Sequence, residues 1–154
     1  MRLYDVAIIG AGVVGVSIAR ELSRYKLKIA LFEKEEEVTF GVSKSNSGII
    51  HPGTQNSPNA LKAKLCVQGN ILTRKLSKEL GFDFKETGGL IVAFNEEEKM
   101  RLLKIKRDAQ VLGVPELQLV NSPWLRENEP NLNREAVAAL FAPSAGIVSP
   151  YRMV

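Results

Sequence analysis

Cysteine and histidine each occur once in the chain, at Cys66 and His51. A lone cysteine rules out a disulfide framework within the chain, and one residue of each kind is too few for a structural zinc site, so no metal is expected. Uninterrupted apolar runs are also missing. No stretch reaches the roughly 18 residues that a transmembrane helix needs. The long hydrophobic opening, "LYDVAIIGAGVVGVSIA", carries Asp5 and three glycines and lacks the basic start and cleavage site of a secretory signal. The expected location is therefore the cytoplasm, with peripheral association at the inner face of the membrane as the alternative.

The excess of 21 basic over 17 acidic residues gives a net charge of +4, spread along stretches such as "RYKLK" and "KMRLLKIKR". Acids lie between these stretches and aromatics do not interleave them, so they form a solvated surface rather than a nucleic-acid groove. The 154 residues suffice for one domain with a proper core, or for one and part of a second. Internal repeats and low-complexity tracts are absent.

"YDVAII", residues 4–9, reads as a short buried strand stopped by Gly10. A helix is expected over 13–25, with Val14, Ile18 and Leu22 on one face, and "KIALF" reads as the next strand, ending at Glu33. Two strands joined by one helix in so few residues imply a right-handed crossover and a parallel pair. Residues 34–57 are mostly loop. Ser57 and Pro58 are expected to open a helix that runs to Leu80, where Gly81 stops it, with an apolar packing stripe of Leu61, Leu65, Leu72 and Leu76. Beyond Gly81 come short strands and helices: "FDFKE", a "TGG" turn, "LIVAF", an Asn95-capped helix with "EEE" first and "KIKR" late, "LQLV", a short helix from Ser122, and "AVAALFA".

Gly10, Gly12 and Gly15 form the pattern "GAGVVG". Alone it would be weak, but a strand precedes it, a helix starts inside it, a second strand follows, and an acid ends that strand. Gly10 allows the sharp turn, Gly12 lets a pyrophosphate approach the backbone, and Gly15 lets the helix lie close on the sheet. The amides of Val13 and Val14 then face outward from a helix start that favours phosphate oxygens. Glu33 can accept hydrogen bonds from both hydroxyls of an adenosine ribose and would repel a 2′-phosphate. This pattern leaves FAD, NAD and, more weakly, a methyl donor such as S-adenosylmethionine open.

The loop that follows narrows the choice. Ser43, Ser45, Asn46 and Ser47 suit hydrogen bonds to a ribityl chain or pyrophosphate, and Gly48 permits close backbone approach. "DVAIIGAGVVGVSIARELS", "SNSGIIHPG", "LKAKLCVQGN", "GGLIVAF", "EPNL" and "AALFAPSAGIVSPY" resemble the amino-terminal part of FAD-dependent oxidoreductases of the D-amino-acid oxidase superfamily. Within it they are most similar to flavin glycerol-3-phosphate dehydrogenases and L-2-hydroxyglutarate oxidases or dehydrogenases. "SPY" after "AGIV" favours the glycerol-3-phosphate branch, while Arg152 directly after Tyr151 keeps some of the other.

The resemblance implies an α/β fold: a Rossmann-like FAD-binding βαβ unit of the glutathione-reductase type, followed by the start of an α+β substrate domain. Residues 1–80 would belong to the FAD-binding domain and 81–154 to the first part of the substrate domain. It implies that Gly10, Gly12, Val13, Val14 and Gly15 hold the FAD pyrophosphate, that Glu33 holds its ribose, and that Lys34, Ser43, Ser45, Asn46, Ser47 and Gly48 line the cofactor. His51 would lie near the isoalloxazine ring as the candidate catalytic residue, stabilising anionic reduced flavin or polarising the substrate; covalent tethering of the flavin is the weaker alternative. Without the resemblance, His51 reads as a loop histidine that fixes the turn before Pro52 and Gly53. Cys66 reads as core, and "EEE" as a helix start without a catalytic role.

The implied reaction is oxidation of a secondary alcohol, glycerol 3-phosphate or a 2-hydroxy acid, with electrons passed on to oxygen, a quinone or a partner protein. A non-catalytic adenine-dinucleotide-binding module is the alternative of another class. Members of the resembled family are considerably longer, so the chain is expected to be an amino-terminal portion lacking a carboxyl-terminal part. The 154-residue chain alone is expected to bind FAD poorly and not to turn over. Purified chain that is yellow with stoichiometric FAD, and bleached by glycerol 3-phosphate, would overturn that expectation.

Overall fold

A computed structural model of the chain describes residues 3–154. It divides into two compact units, one comprising the chain up to Gly48 together with Val148–Val154, the other Ile49–Ile147. In the first unit, β1 (Val6–Ile9) and β2 (Ile29–Phe32) pair in parallel, in register from Val6 with Ile29 to Ile9 with Phe32. Asp5 fixes one end of the pair: its amide donates to the Lys28 carbonyl at 2.9 Å, and its carboxylate accepts from the Lys28 amide at 2.8 Å. At the other end the Gly10 amide donates to the Phe32 carbonyl at 2.7 Å, one residue past the ladder.

The crossover helix α1 (Val13–Leu22) starts from a turn that needs φ of +99° at Gly10, a conformation glycine adopts without a Cβ penalty. Gly15 is buried, and a Cβ there would run into the Gly10 carbonyl oxygen. The helix therefore meets the strand through its smallest residue, and Val14 and Ile18, expected on a common apolar face, turn outward at 69% and 45% exposure. The helix also ends three residues before the expected Tyr25, because the Arg24 and Tyr25 amides donate to the Glu21 and Leu22 carbonyls, three residues behind each, in a tighter turn. β1 is shorter and wetter than expected: only Ile8 is buried and Ile9 is 82% exposed. Alternate residues of a strand face opposite sides, and one helix packs on this two-stranded sheet.

The second unit holds two three-stranded sheets. β5 (Gly89–Ala93), β7 (Ala138–Ala142) and β6 (Gln118–Asn121) form one, antiparallel with β7 in the middle. On one of its faces Ala138, Leu140 and Ala142 join Leu102 and Ala109 of α3 (Glu96–Val111) and Val67 of α2 (Leu61–Leu80) in a single core. On the other, Ala139 and Phe141 meet Leu125 and Trp124 of α4 (Ser122–Asn128), with the two aromatic rings 5.3 Å apart. Two-residue strands β3 (Ile49–Ile50) and β4 (Phe84–Lys85) flank β8 (Gly146–Val148) in the smaller sheet.

Three further expectations change. The helix expected from Ser57 begins at Leu61, because residues 57–60 close a turn in which the Ala60 amide donates to the Ser57 carbonyl. Its expected packing stripe is largely in water, with Leu61, Leu65 and Leu72 at 69%, 54% and 53% exposure, while the buried residues are Ala63, Val67, Asn70, Thr73 and Ser77. Through Val67 this helix joins the core of the second unit. Asn95 does cap α3, accepting from the Glu98 amide at 2.9 Å, whereas "KIKR" lies a turn before the helix end, whose last turn holds no base.

The close approach at Gly15 sets an expectation for stability. Gly15→Ala should lower it by about 1–3 kcal/mol, as overpacking does. Gly69→Ala, in α2 with open space at its Cβ position, should be neutral or stabilising by up to about 1 kcal/mol. Urea unfolding of the two variants checks both.

Candidate functional site

Parallel pairing brings the end of β2 beside the β1–α1 turn, and Glu33 uses that placement. One carboxylate oxygen accepts from the Ala11 amide at 2.7 Å across 22 residues of sequence. The other accepts from the Lys34 amide at 2.8 Å and the Glu35 amide at 3.2 Å. These bonds, that from Ala11 first, then Glu35 and Lys34, favour the charged form and hold the carboxyl below its ordinary value. Lys34 itself is exposed and pairs with Glu35 at 3.2 Å.

The loop after Glu33 returns to the start of α1. Ser43 Oγ accepts from the Val13 amide at 3.0 Å, and a Cβ on Gly12 would lie 3.0 Å from that same oxygen. Thr39, which carried no signal in the sequence, is buried with φ of +69°, and its amide donates to the Ala11 carbonyl at 3.1 Å. A β-branched residue in that region is an outlier costing on the order of 1–3 kcal/mol. Asn46 braces the loop: its Nδ2 donates to the Ser43 carbonyl at 2.8 Å, and its Oδ1 accepts from the Gly48 amide at 2.8 Å. Gly48 is buried at φ of +66°, where a Cβ would meet the Val148 carbonyl oxygen. Lys44 lies 4.4 Å from the centre of the Phe40 ring.

The structure thus brings together Gly10, Gly12, Val13, Gly15, Glu33 and Ser43. Val14 adds its place in the first helical turn, Asn46 is used inside the loop, and Lys34, Ser45 and Ser47 are exposed around it. The residues fit the ADP half of FAD on three counts. No side chain stands on Gly12, the first turn of α1 has no acid to oppose a phosphate, and an ionised carboxylate ends the second strand.

In the second unit, a cavity of about 310 Å³ is lined by parts of three stretches, 49–55, 87–91 and 142–147. His51 is its one titratable side chain among the described residues; Thr54, Gln55 and Thr87 add hydroxyl and amide groups. The imidazole is on an exposed residue, while the next three residues, Pro52, Gly53 and Thr54, are buried. A larger cavity of about 550 Å³ beside α4 holds Arg126, Glu129 and Arg134 and none of the candidate cofactor-binding or catalytic residues. Cys66 is half-buried near Asn56 Nδ2, at 3.9 Å. Among the described residues no three metal-binding side chains come together, and no helix is long and apolar enough to cross a membrane.

Residues 5–154 match the model of the FAD dependent oxidoreductase family. The chain belongs to that family. Its cofactor is FAD, as the loop after Glu33 and the resemblance implied. Over 149 residues, 97% of the chain, it is 44% identical to a glycerol 3-phosphate dehydrogenase of Caloramator mitchellensis, of which it covers 31%. It is 40% identical to a mitochondrial L-2-hydroxyglutarate dehydrogenase of Caenorhabditis briggsae over 94% of the chain and 33% of that protein. A dithionite-reduced L-alpha-glycerophosphate oxidase from Mycoplasma pneumoniae with FAD bound superposes with a TM-score of 0.93 at 35% identity, over 99% of this chain and 41% of the other. The chain spans about a third of the length of the curated relatives it matches.

Glu33 carries a pH signature. Its folded-state value lies below the unfolded one, so the stabilisation is complete above the ordinary value of 4.5 and is lost as pH falls through the folded value. Glu33→Gln should therefore be less stable than the parent at neutral pH, with the gap narrowing below pH 4.5. Urea midpoints across that range measure it.

Proposed function

We propose that this chain carries the FAD-binding and histidine-bearing part of an enzyme that oxidises the secondary alcohol of sn-glycerol 3-phosphate to dihydroxyacetone phosphate. The observation that carries the substrate is its likeness to a glycerol 3-phosphate dehydrogenase and to a flavin-bound glycerophosphate oxidase over nearly the whole chain. A 2-hydroxy acid, L-2-hydroxyglutarate, is the second reading, favoured by 40% identity to a dehydrogenase of that name. Either substrate presents a CH(OH) centre beside an anionic group.

In this reading the amides of Gly12 and Val14 take the pyrophosphate, the Val13 amide joins them by exchanging Ser43 Oγ for a phosphate oxygen, Gly10 and Gly15 keep the turn and helix in place to present them, and Glu33 takes the ribose. A carboxylate has about four acceptor positions, and three backbone amides already use Glu33. About one position remains, so a single ribose hydroxyl is the expected partner. Ser43, Ser45, Asn46, Ser47 and Gly48 line the path beyond, with Lys34 at its ribose end. FAD supplies the two-electron acceptor for the hydride leaving the alcohol carbon. His51 bonds the alcohol oxygen, holds its proton, and stabilises negative charge that develops there. A hydrogen bond aimed at developing charge is worth about 10²–10³ in rate. Electrons pass onward to oxygen, a quinone or a partner protein.

Three outcomes are expected. In the full-length, FAD-loaded protein without oxygen, glycerol 3-phosphate should bleach the visible flavin band and L-2-hydroxyglutarate should not; bleaching by the second alone would replace the substrate named here. His51→Gln should lower kcat about 10²-fold or more while leaving FAD content unchanged. Glu33→Gln should weaken FAD affinity about tenfold, the scale of one charge-assisted hydrogen bond.

A further inference from the structure

The stretches around the His51 cavity are tied together from behind, by one face of α2. Asn70 is 5% exposed, and the two hydrogens of its carboxamide go to different loops: Nδ2 donates to the His51 carbonyl at 3.3 Å and to the Ser144 carbonyl at 2.8 Å. Its Oδ1 accepts from Arg74 Nε at 3.3 Å, one helical turn on. Arg74 donates through Nη2 to the same Ser144 carbonyl at 2.6 Å and through Nη1 to the carboxylate of Glu86, the residue before Thr87 and Gly88. Its guanidinium stands 5.0 Å from the centre of the Phe84 ring. His51, Ser144 and Glu86 belong or adjoin, in turn, to each of the three stretches lining the cavity.

A helix that only needed to pack could bury an apolar side chain at this position. Asn70 instead has both donors and its acceptor engaged, which makes a satisfied network that is directional and costly to half-break. We propose that Asn70 is a positioning residue for His51, with Arg74 as its brace. It acts through the backbone: fixing the His51 carbonyl relative to Ser144 sets the direction in which the imidazole leaves the chain over the cavity. The proposal rests on the reading of His51 as the group that meets the reacting oxygen.

Because His51 is the only histidine, its ring protons give an unambiguous pair of NMR signals in the 154-residue chain without any ligand. Asn70→Leu, which keeps the volume, and Asn70→Asp, which replaces both donors by acceptors, should each displace the His51 Hε1 and Hδ2 signals by more than a linewidth or split them. Thr73→Ala removes another buried side chain of α2, one that donates only to the Gly69 carbonyl. It should lower Tm yet leave the His51 signals in place. Unmoved His51 signals in folded Asn70→Leu and Asn70→Asp, or equal movement in Thr73→Ala, would overturn the positioning role. The flavin reading is checked separately, by the kcat of His51→Gln in the FAD-loaded protein, so either can fail without the other.

Discussion

The hydrogen bond from the Ala11 amide to the Glu33 carboxylate closes the βαβ unit. Two residues 22 apart in sequence become neighbours because β1 and β2 run parallel in register and end together at Ile9 and Phe32. The bond fixes the turn that carries Gly10 and Gly12, and with it the direction in which α1 starts. It also keeps the acid charged, so an anionic acceptor stands beside the start of α1. The loop after Glu33 depends on the same turn, since Thr39 donates to the Ala11 carbonyl and Ser43 accepts from the Val13 amide.

That dependence explains why this part of the chain was legible from sequence. Glycines at fixed spacing, a β-branched strand on each side and an acid at the second strand's end are each set by backbone geometry, which leaves little choice of residue. Glu33 and Ser43 could be named because their chemistry is local to that turn. Ala11 and Thr39 could not: one contributes only a backbone amide, and the other sits in a left-handed conformation that no residue preference of threonine suggests.

The long helix α2 shows the opposite case. Apolar periodicity identifies the face that loses most by contact with water, and it pointed to Leu61, Leu65 and Leu72. The face actually buried within the chain carries alanine, valine, asparagine, threonine and serine. Hydrophobic spacing cannot reveal a buried polar face, because the reason for it lies in distant partners: the carbonyls of His51 and Ser144 are 19 and 74 residues from Asn70. The two-residue strand β3 escaped for a related reason, being too short for any period and defined only by its pairing with β8.

The polar character of that face has an energetic logic. His51 and Ser144 lie just beyond the strands β3 and β7, outside the ladders, and a buried carbonyl without a partner costs about 1–3 kcal/mol. Asn70 and Arg74 meet that demand at Ser144 with two donors, one of them charged. The Ser144 hydroxyl is the exception, buried and without a partner among the described residues. Its backbone carbonyl, not its side chain, is therefore what α2 holds. An apolar helix face could have filled the same space, but it would have left these loops free to choose among several arrangements. Two polar residues one turn apart select one arrangement of the His51 and Ser144 carbonyls.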